Sequence, residues 1–163
     1  MKQIIAYCDG GSRGNPGPSA WAFAVYNGDE LVHSESKYLG DHHTNNEAEY
    51  AGLIALLQFL HGKNVRVLIF CDSELVVNQV NEEWACINEK LKPMCAYAQG
   101  LKARGQHTLQ HCKGHDGILG NEYVDQLVNE CLDKREYEEL MSPYKCDCKA
   151  KDCPQCQGWD NNV

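Results

Sequence analysis

No run of eighteen apolar residues occurs in this 163-residue chain, which excludes a helical membrane span of ordinary length. Positive charge is also scarce. The 15 Lys and Arg face 23 Asp and Glu, for a formal net charge of −8. Partners built on phosphate normally meet a basic surface. A nucleic-acid role therefore needs another source of positive potential: divalent cations held locally, or backbone N–H groups. No secretory leader is legible, because the apolar stretch after Lys2 meets Asp9 too early. The expected location is the cytoplasm, a reducing compartment. No internal repeat is present.

Cysteine, in contrast, is abundant, with ten residues. In a secreted chain they would suggest a disulfide framework; without a leader they read as free thiols or metal ligands. Cys8, Cys71, Cys86, Cys95, Cys112 and Cys131 are scattered and read as small core residues. Cys146, Cys148, Cys153 and Cys156 are clustered near the end. The length suits one domain with a substantial core.

Residues 3–8 form a short apolar run ending on Asp9, and residues 10–18 are so rich in Gly and Pro that they read as a loop. Residues 21–26 read as a second strand, Asn27-Gly28 as a hairpin turn, and residues 31–39 as a third strand. A long helix then runs from a cap at Thr44 or Asn45 to about Leu60, with Glu47 at the capping-box spacing from Thr44. It has little polar surface and must be buried on most sides. Residues 65–71, apolar apart from Arg66, form a run ending on Asp72, expected to lie parallel to the first strand because a helix connects the two. Ser73 caps a short helix, residues 74–80. A further helix over residues 88–103, a strand over 108–112 and a last helix over 121–140 complete an α/β pattern of a mixed sheet with helices packed on it. Ser142-Pro143 breaks the last helix, which places a boundary near Met141: residues 1–141 as the main domain and 142–163 as a Cys-rich tail.

Asp9 and Asp72 each follow an apolar strand. If those strands are adjacent and parallel, both carboxylates share one sheet edge, where open α/β sheets bind ligands. Glu49 is a charge in an otherwise apolar helix, which is costly unless it is used. Asp125 lies near the start of the last helix. Four such groups converging on one edge repel each other unless cations offset the charge, and hard oxygen ligands select Mg²⁺ or Mn²⁺.

Asp9-Gly10-Gly11-Ser12, Thr44-Asn45-Asn46 with Glu49, Asp72-Ser73, and Lys113-Gly114-His115 followed by Asn121-Glu122 and Asp125 together resemble the type 1 ribonuclease H family, over about residues 1–138. Each motif alone is weak, but the ordered set is specific. The resemblance implies a five-stranded mixed sheet, its first three strands antiparallel, with helices on both faces. It implies two Mg²⁺, with Mn²⁺ as a substitute, held by Asp9, Glu49, Asp72 and Asp125, and endonucleolytic cutting of the RNA strand of an RNA–DNA hybrid. By the same resemblance, His115 assists proton transfer or product release. Gly11, the backbone around Ser12, Asn45 and Asn46 line the minor groove of the substrate; Asn15 and Thr44 are further substrate candidates. Rival readings are another nuclease of this fold, or a catalytically silent hybrid-binding module.

The chain departs from relatives that carry a basic helix-and-loop handle. Residues 81–105 are short, with only Lys90, Lys92, Lys102 and Arg104 as cations, which resembles a handle-less, archaeal-like branch. Cys146-x-Cys148 and Cys153-x-x-Cys156 fit a tetrahedral Zn²⁺ site, against free thiols or a redox role as alternatives. A monomer is expected.

Overall fold

The computed structural model describes residues 2–113 and 119–144. One sheet carries five strands in the order β3-β2-β1-β4-β5. The strands β1 (Ile4–Ser12), β2 (Gly17–Asn27) and β3 (Glu30–His43) form an antiparallel meander. Strand β4 (Leu68–Cys71) pairs parallel to β1, and β5 (Thr108–His111) parallel to β4. Four helices accompany them: α1 (Asn45–Leu60), α2 (Glu74–Val80), α3 (Lys92–Gly105) and α4 (Leu119–Met141). The expected five-stranded mixed sheet is thus present, in the expected chain order.

Alternation along β2 sorts the two faces, as the two-residue period of a strand requires. Phe23 and Val25 join Tyr50, Leu53, Leu56, Ile69, Val76 and Leu101 in the core beneath α1, α2 and α3. Ala20, Ala22 and Ala24 point the other way and pack with Val124, Val128 and Leu132 of α4. Three alanines in a row on one face let a helix approach closely. Helices therefore cover both faces. Helix α1 is enclosed as its composition demands, packing against β1, β2, α2 and α3. Its one interior hydroxyl is satisfied: Tyr50 donates to Gln79 Oε1 at 2.7 Å.

Several boundaries differ from the sequence reading. Gly10, Gly11 and Ser12, expected in a loop, continue β1 and pair with Trp21, Ala20 and Ser19. Ladder bonds to β2 hold them extended despite the glycines, so the loop shrinks to residues 13–16. Residues 65–67, expected in a strand, precede β4, and Val65 is 39% exposed. Helix α3 begins at Lys92 rather than residue 88, because Asn88 Oδ1 accepts from the backbone N–H of Lys90 and Leu91 and forms a turn there. Cys86 and Cys131 are only partly buried; Cys8, Cys71, Cys95 and Cys112 are core residues as expected.

Contact density divides the chain into Met1–Leu132, which holds the whole sheet, and Asp133–Val163. The described part of the second unit is the end of α4 and a single 3-10 turn, Ser142–Tyr144, with Arg135 and Glu139 paired at 3.2 Å along the helix. Among the described residues no helix is long and apolar enough to cross a membrane. His115 and the four clustered cysteines, Cys146, Cys148, Cys153 and Cys156, lie outside the described residues.

Candidate active site

The last residues that β1 and β4 pair are Cys8 and Cys71. Asp9 and Asp72 follow them directly, so two carboxylates emerge side by side where the parallel ladder stops. Asp9 is not past the end of its strand, as its sequence context suggested. It is still paired with Ala22 of β2 and is only 5% exposed.

Helix α1 is pressed onto β1 at this point. A Cβ on Gly10 would lie 2.1 Å from the carbonyl oxygen of Ala48, and one on Gly52 would lie 2.5 Å from that of Asp9. Only residues without a side chain permit this approach, and it carries Glu49 over Asp9. The helix is fixed from its start: the Thr44 hydroxyl accepts from Glu47 N–H at 3.2 Å while Glu47 reaches back to Thr44 N–H. His43 bonds the same Glu47 carboxylate at 2.9 Å, and this bond holds Glu47 below the usual carboxylate range. Glu47 is therefore a cap, as expected, and Glu49 faces the cleft. Asp125 arrives from α4. Asn129 donates to its backbone carbonyl at 3.0 Å, and Arg13 donates to the carbonyl of Asn129 at 3.3 Å, linking the loop after β1 to α4.

Asp9, Glu49, Asp72 and Asp125 line one cleft of about 360 Å³ together with Gly11, Ser12, Asn45 and Asn46. Ser12 N–H donates to Asn45 Oδ1 at 2.7 Å, which leaves the amide N–H₂ of Asn45 for the cleft. Asn15 and Thr44 are not in the lining. Asn15 Oδ1 accepts from the backbone N–H of Asn45 at 3.1 Å, so both act on the position of Asn45 from behind. The sequence reading missed Arg13, Ser73 and Asn129 as lining residues. Only Arg13 carried a signal, as the sole cation of the Gly-rich stretch. It also missed Cys71, whose thiol donates to Glu49 Oε2 at 3.8 Å.

The electrostatics are those of a site built for cations. Burial, then the charge of Asp72, pushes Asp9 from the usual 3.8 up to about 7, against a hydrogen bond with Glu49 and the N–H of Gly10 at 2.9 Å. Burial and the neighbouring Cys71, Asp9 and Asp72 hold Glu49 well above the carboxylate range. Burial and Asp125 raise Asp72. Without a cation, Asp9 and Glu49 are driven to share a proton. Donor atoms of Glu49, Cys71 and Asp72 lie within 4.8 Å of one another. The surrounding oxygens suit a hard divalent ion, and the raised carboxylates are what its charge would relieve. The residues present therefore fit a divalent-metal site.

Comparison with known proteins bears on this geometry. The RNase H family pattern matches residues 1–133. A bifunctional protein of Mycobacterium tuberculosis is 32% identical over 163 residues; the match takes in 96% of this chain but only 43% of that protein. The Ribonuclease H of Ruthia magnifica is 30% identical over 145 residues, covering 82% of this chain and 98% of its own length. Among solved structures, LC11-RNase H1 in complex with an RNA/DNA hybrid superposes with a TM-score of 0.74 at 31% identity, covering 82% of this chain and 99% of that one. The chain belongs to the RNase H family, whose members depend on divalent metal.

Proposed function

We propose that this member of the RNase H family is an endoribonuclease that hydrolyses the RNA strand of RNA–DNA hybrids. The convergence of Asp9, Glu49, Asp72 and Asp125 in one cleft, beside Ser12, Asn45 and Asn46, carries the reading. The four carboxylates would hold two Mg²⁺, or Mn²⁺ in their place. Bound there, the ions supply an activated water and charge stabilisation at the leaving 3′ oxygen.

The protein's own contribution is placement and selection. Gly10 and Gly52 set Glu49 against Asp9, and the hydrogen bond from Cys71 orients the Glu49 carboxylate. The donors of Asn45, with Asn46 and the backbone at Gly11 and Ser12, read the minor groove and the 2′-hydroxyl that separates RNA from DNA. Asn15 and Thr44 hold Asn45 from behind. His115 follows Lys113-Gly114 in the sequence and is assigned proton transfer or product release, a task suited to a group that titrates near neutral pH. The tail 142–163 is assigned a separate role: Cys146, Cys148, Cys153 and Cys156 have the spacing and ligand chemistry for one Zn²⁺. The protein acts as a monomer.

End-labelled RNA–DNA hybrid, RNA duplex and DNA duplex, each incubated with Mg²⁺, Mn²⁺ or EDTA, test the reading. Metal-dependent cutting confined to the RNA strand of the hybrid is the expected result. Hybrid binding without cutting under any metal would replace it with a silent binding module.

A further inference from the structure

The opposite end of β4 gathers cations. Residues 61–66 lead from α1 toward β4, and residues 102–107 lead from α3 into β5; neither stretch contains Asp or Glu. Because β4 and β5 are parallel, both stretches lie at the edge of the sheet from which these strands start. Arg66 is six residues before Asp72, roughly 20 Å away at about 3.3 Å per residue.

Lys63, Asn64, Arg66, Arg104 and Gln106 line a cleft of about 390 Å³ there. Among the described residues none of Lys63, Arg66 and Arg104 is in an ion pair with a carboxylate. In a chain with a net charge of −8, three neighbouring cations without acidic partners are a departure. Lys63 Nζ sits 4.3 Å over the Phe59 ring, which holds the ammonium in place without neutralising it.

The frame beneath these side chains is fixed. Val67 N–H donates to His107 Nδ1 at 3.2 Å, and Thr108 N–H to the carbonyl of Val67 at 3.0 Å. His107 is buried, and burial lowers its pKa from the ordinary histidine value. A Cβ on Gly105 would lie 2.1 Å from His107 Nε2, so a side chain there would have to displace the buried His107 ring. Favourable interaction with a helix carbonyl end accounts for Lys102 and Arg104, in the last turn of α3. It does not account for Lys63 and Arg66, which lie outside any helix.

We propose that this pocket binds phosphate groups of a nucleic-acid single strand, as a non-catalytic contact separate from the carboxylate cleft. Its guanidinium, ammonium and amide donors suit phosphate oxygens. These donors engage the phosphate backbone, which carries no sequence information, so binding is independent of sequence. A flexible single strand can bend to bring successive phosphates to Lys63, Arg66 and Arg104, whereas a stiff duplex holds its phosphates at fixed spacing. The contact is weak and dominated by counterion release, hence strongly dependent on salt.

The test uses the full chain in EDTA, with a labelled single-stranded DNA followed by anisotropy at several salt concentrations. This readout is independent of hydrolysis, so it stands or falls apart from the proposed activity. Relative to the unaltered protein, a K63Q/R66Q/R104Q variant is expected to lose about tenfold or more in affinity at low salt. Its log–log salt slope should fall by about 2, from three phosphate contacts at about 0.7 each. Its melting temperature and its cleavage of a short blunt hybrid in Mg²⁺ should be unchanged, and a K63R/R66K/R104K variant should retain binding. Equal affinity and slope in the glutamine variant would overturn the proposal. Tripolyphosphate should displace the strand from the unaltered protein; tripolyphosphate binding lost in the glutamine variant with strand binding intact would reassign the pocket to a free oligophosphate.

Discussion

The two ends of the parallel strands carry opposite charge in opposite ways. At the end where β4 stops, Asp9, Glu49 and Asp72 are crowded together and withdrawn from water, and their carboxyls are raised as a result. At the end where β4 begins, Lys63, Arg66 and Arg104 are exposed around an open recess. Withdrawn like charges destabilise the fold until something neutralises them, so the acidic end is coupled to metal and to pH. Exposed like charges cost little, and their attraction for a partner is screened by salt. One sheet thus separates a site whose chemistry comes from desolvation from a site whose affinity comes from bulk electrostatics.

The largest expected effect tests the acidic end alone. Asp9→Asn should reduce hybrid cleavage by roughly 10³-fold or more, the scale of losing a principal electrostatic anchor in an active site, while single-strand binding in EDTA changes little. Activity equal to that of the unaltered protein would remove Asp9 from the chemistry.

Gly10→Ala probes how the acidic end is assembled. Its Cβ would meet the Ala48 carbonyl at 2.1 Å. Relieving that clash by moving α1 should cost about 1–3 kcal/mol, a fall of a few to roughly 10 °C in melting temperature for a domain of this size, and cleavage should fall further than stability because Glu49 moves with the helix. Parallel thermal melts and cleavage rates measure both.

The pH dependence of the metal-free protein follows from the sign of the Asp9 shift. A carboxylate with a raised pKa contributes stability that is present below its unfolded value and lost as pH rises through the folded one. Melting in EDTA should therefore be higher at pH 5 than at pH 8, with the fall centred between 3.8 and about 7. Mg²⁺ should narrow that gap. A flat profile in EDTA would mean that the carboxylates are not in conflict.

The smallest effect expected is that of Thr44→Ala, which removes the α1 cap hydroxyl. It should cost about 1 kcal/mol, read as a drop of roughly 2–4 °C in melting temperature. Glu49 and Asn45 both ride on the start of α1, so a modest rise in KM for hybrid should accompany it.

Three of the four carboxylates were legible because each breaks a local rule, whereas Asp125 breaks none and was placed by its position near the start of the last helix and by the family resemblance. Asp9 and Asp72 end apolar runs, and Glu49 sits in an apolar helix. The cap at Thr44 was legible because capping depends on residues three apart. The strand through Gly10, Gly11 and Ser12 was not, because glycine has no intrinsic preference for extended structure and the ladder to β2 decides the matter. Residues 65–67 misled in the other direction: the β-branched Val65 and Val67 matched a strand, but β4 takes up pairing only at Leu68.

By itself the sequence determined the order and type of the elements, the binary pattern that gives the sheet two covered faces, and the identity of the acidic residues. Those are consequences of local spacing and of hydrophobic periodicity. Tertiary structure alone decided that Asp9 and Asp72 stand side by side, that α1 lies close enough to bring Glu49 to them, and that Cys71 bonds its carboxylate. It also decided that Lys63, Arg66 and Arg104 meet at one recess. These depend on strand register and on the distance between helix and sheet, which pairing between segments far apart in the chain fixes and which no local pattern records.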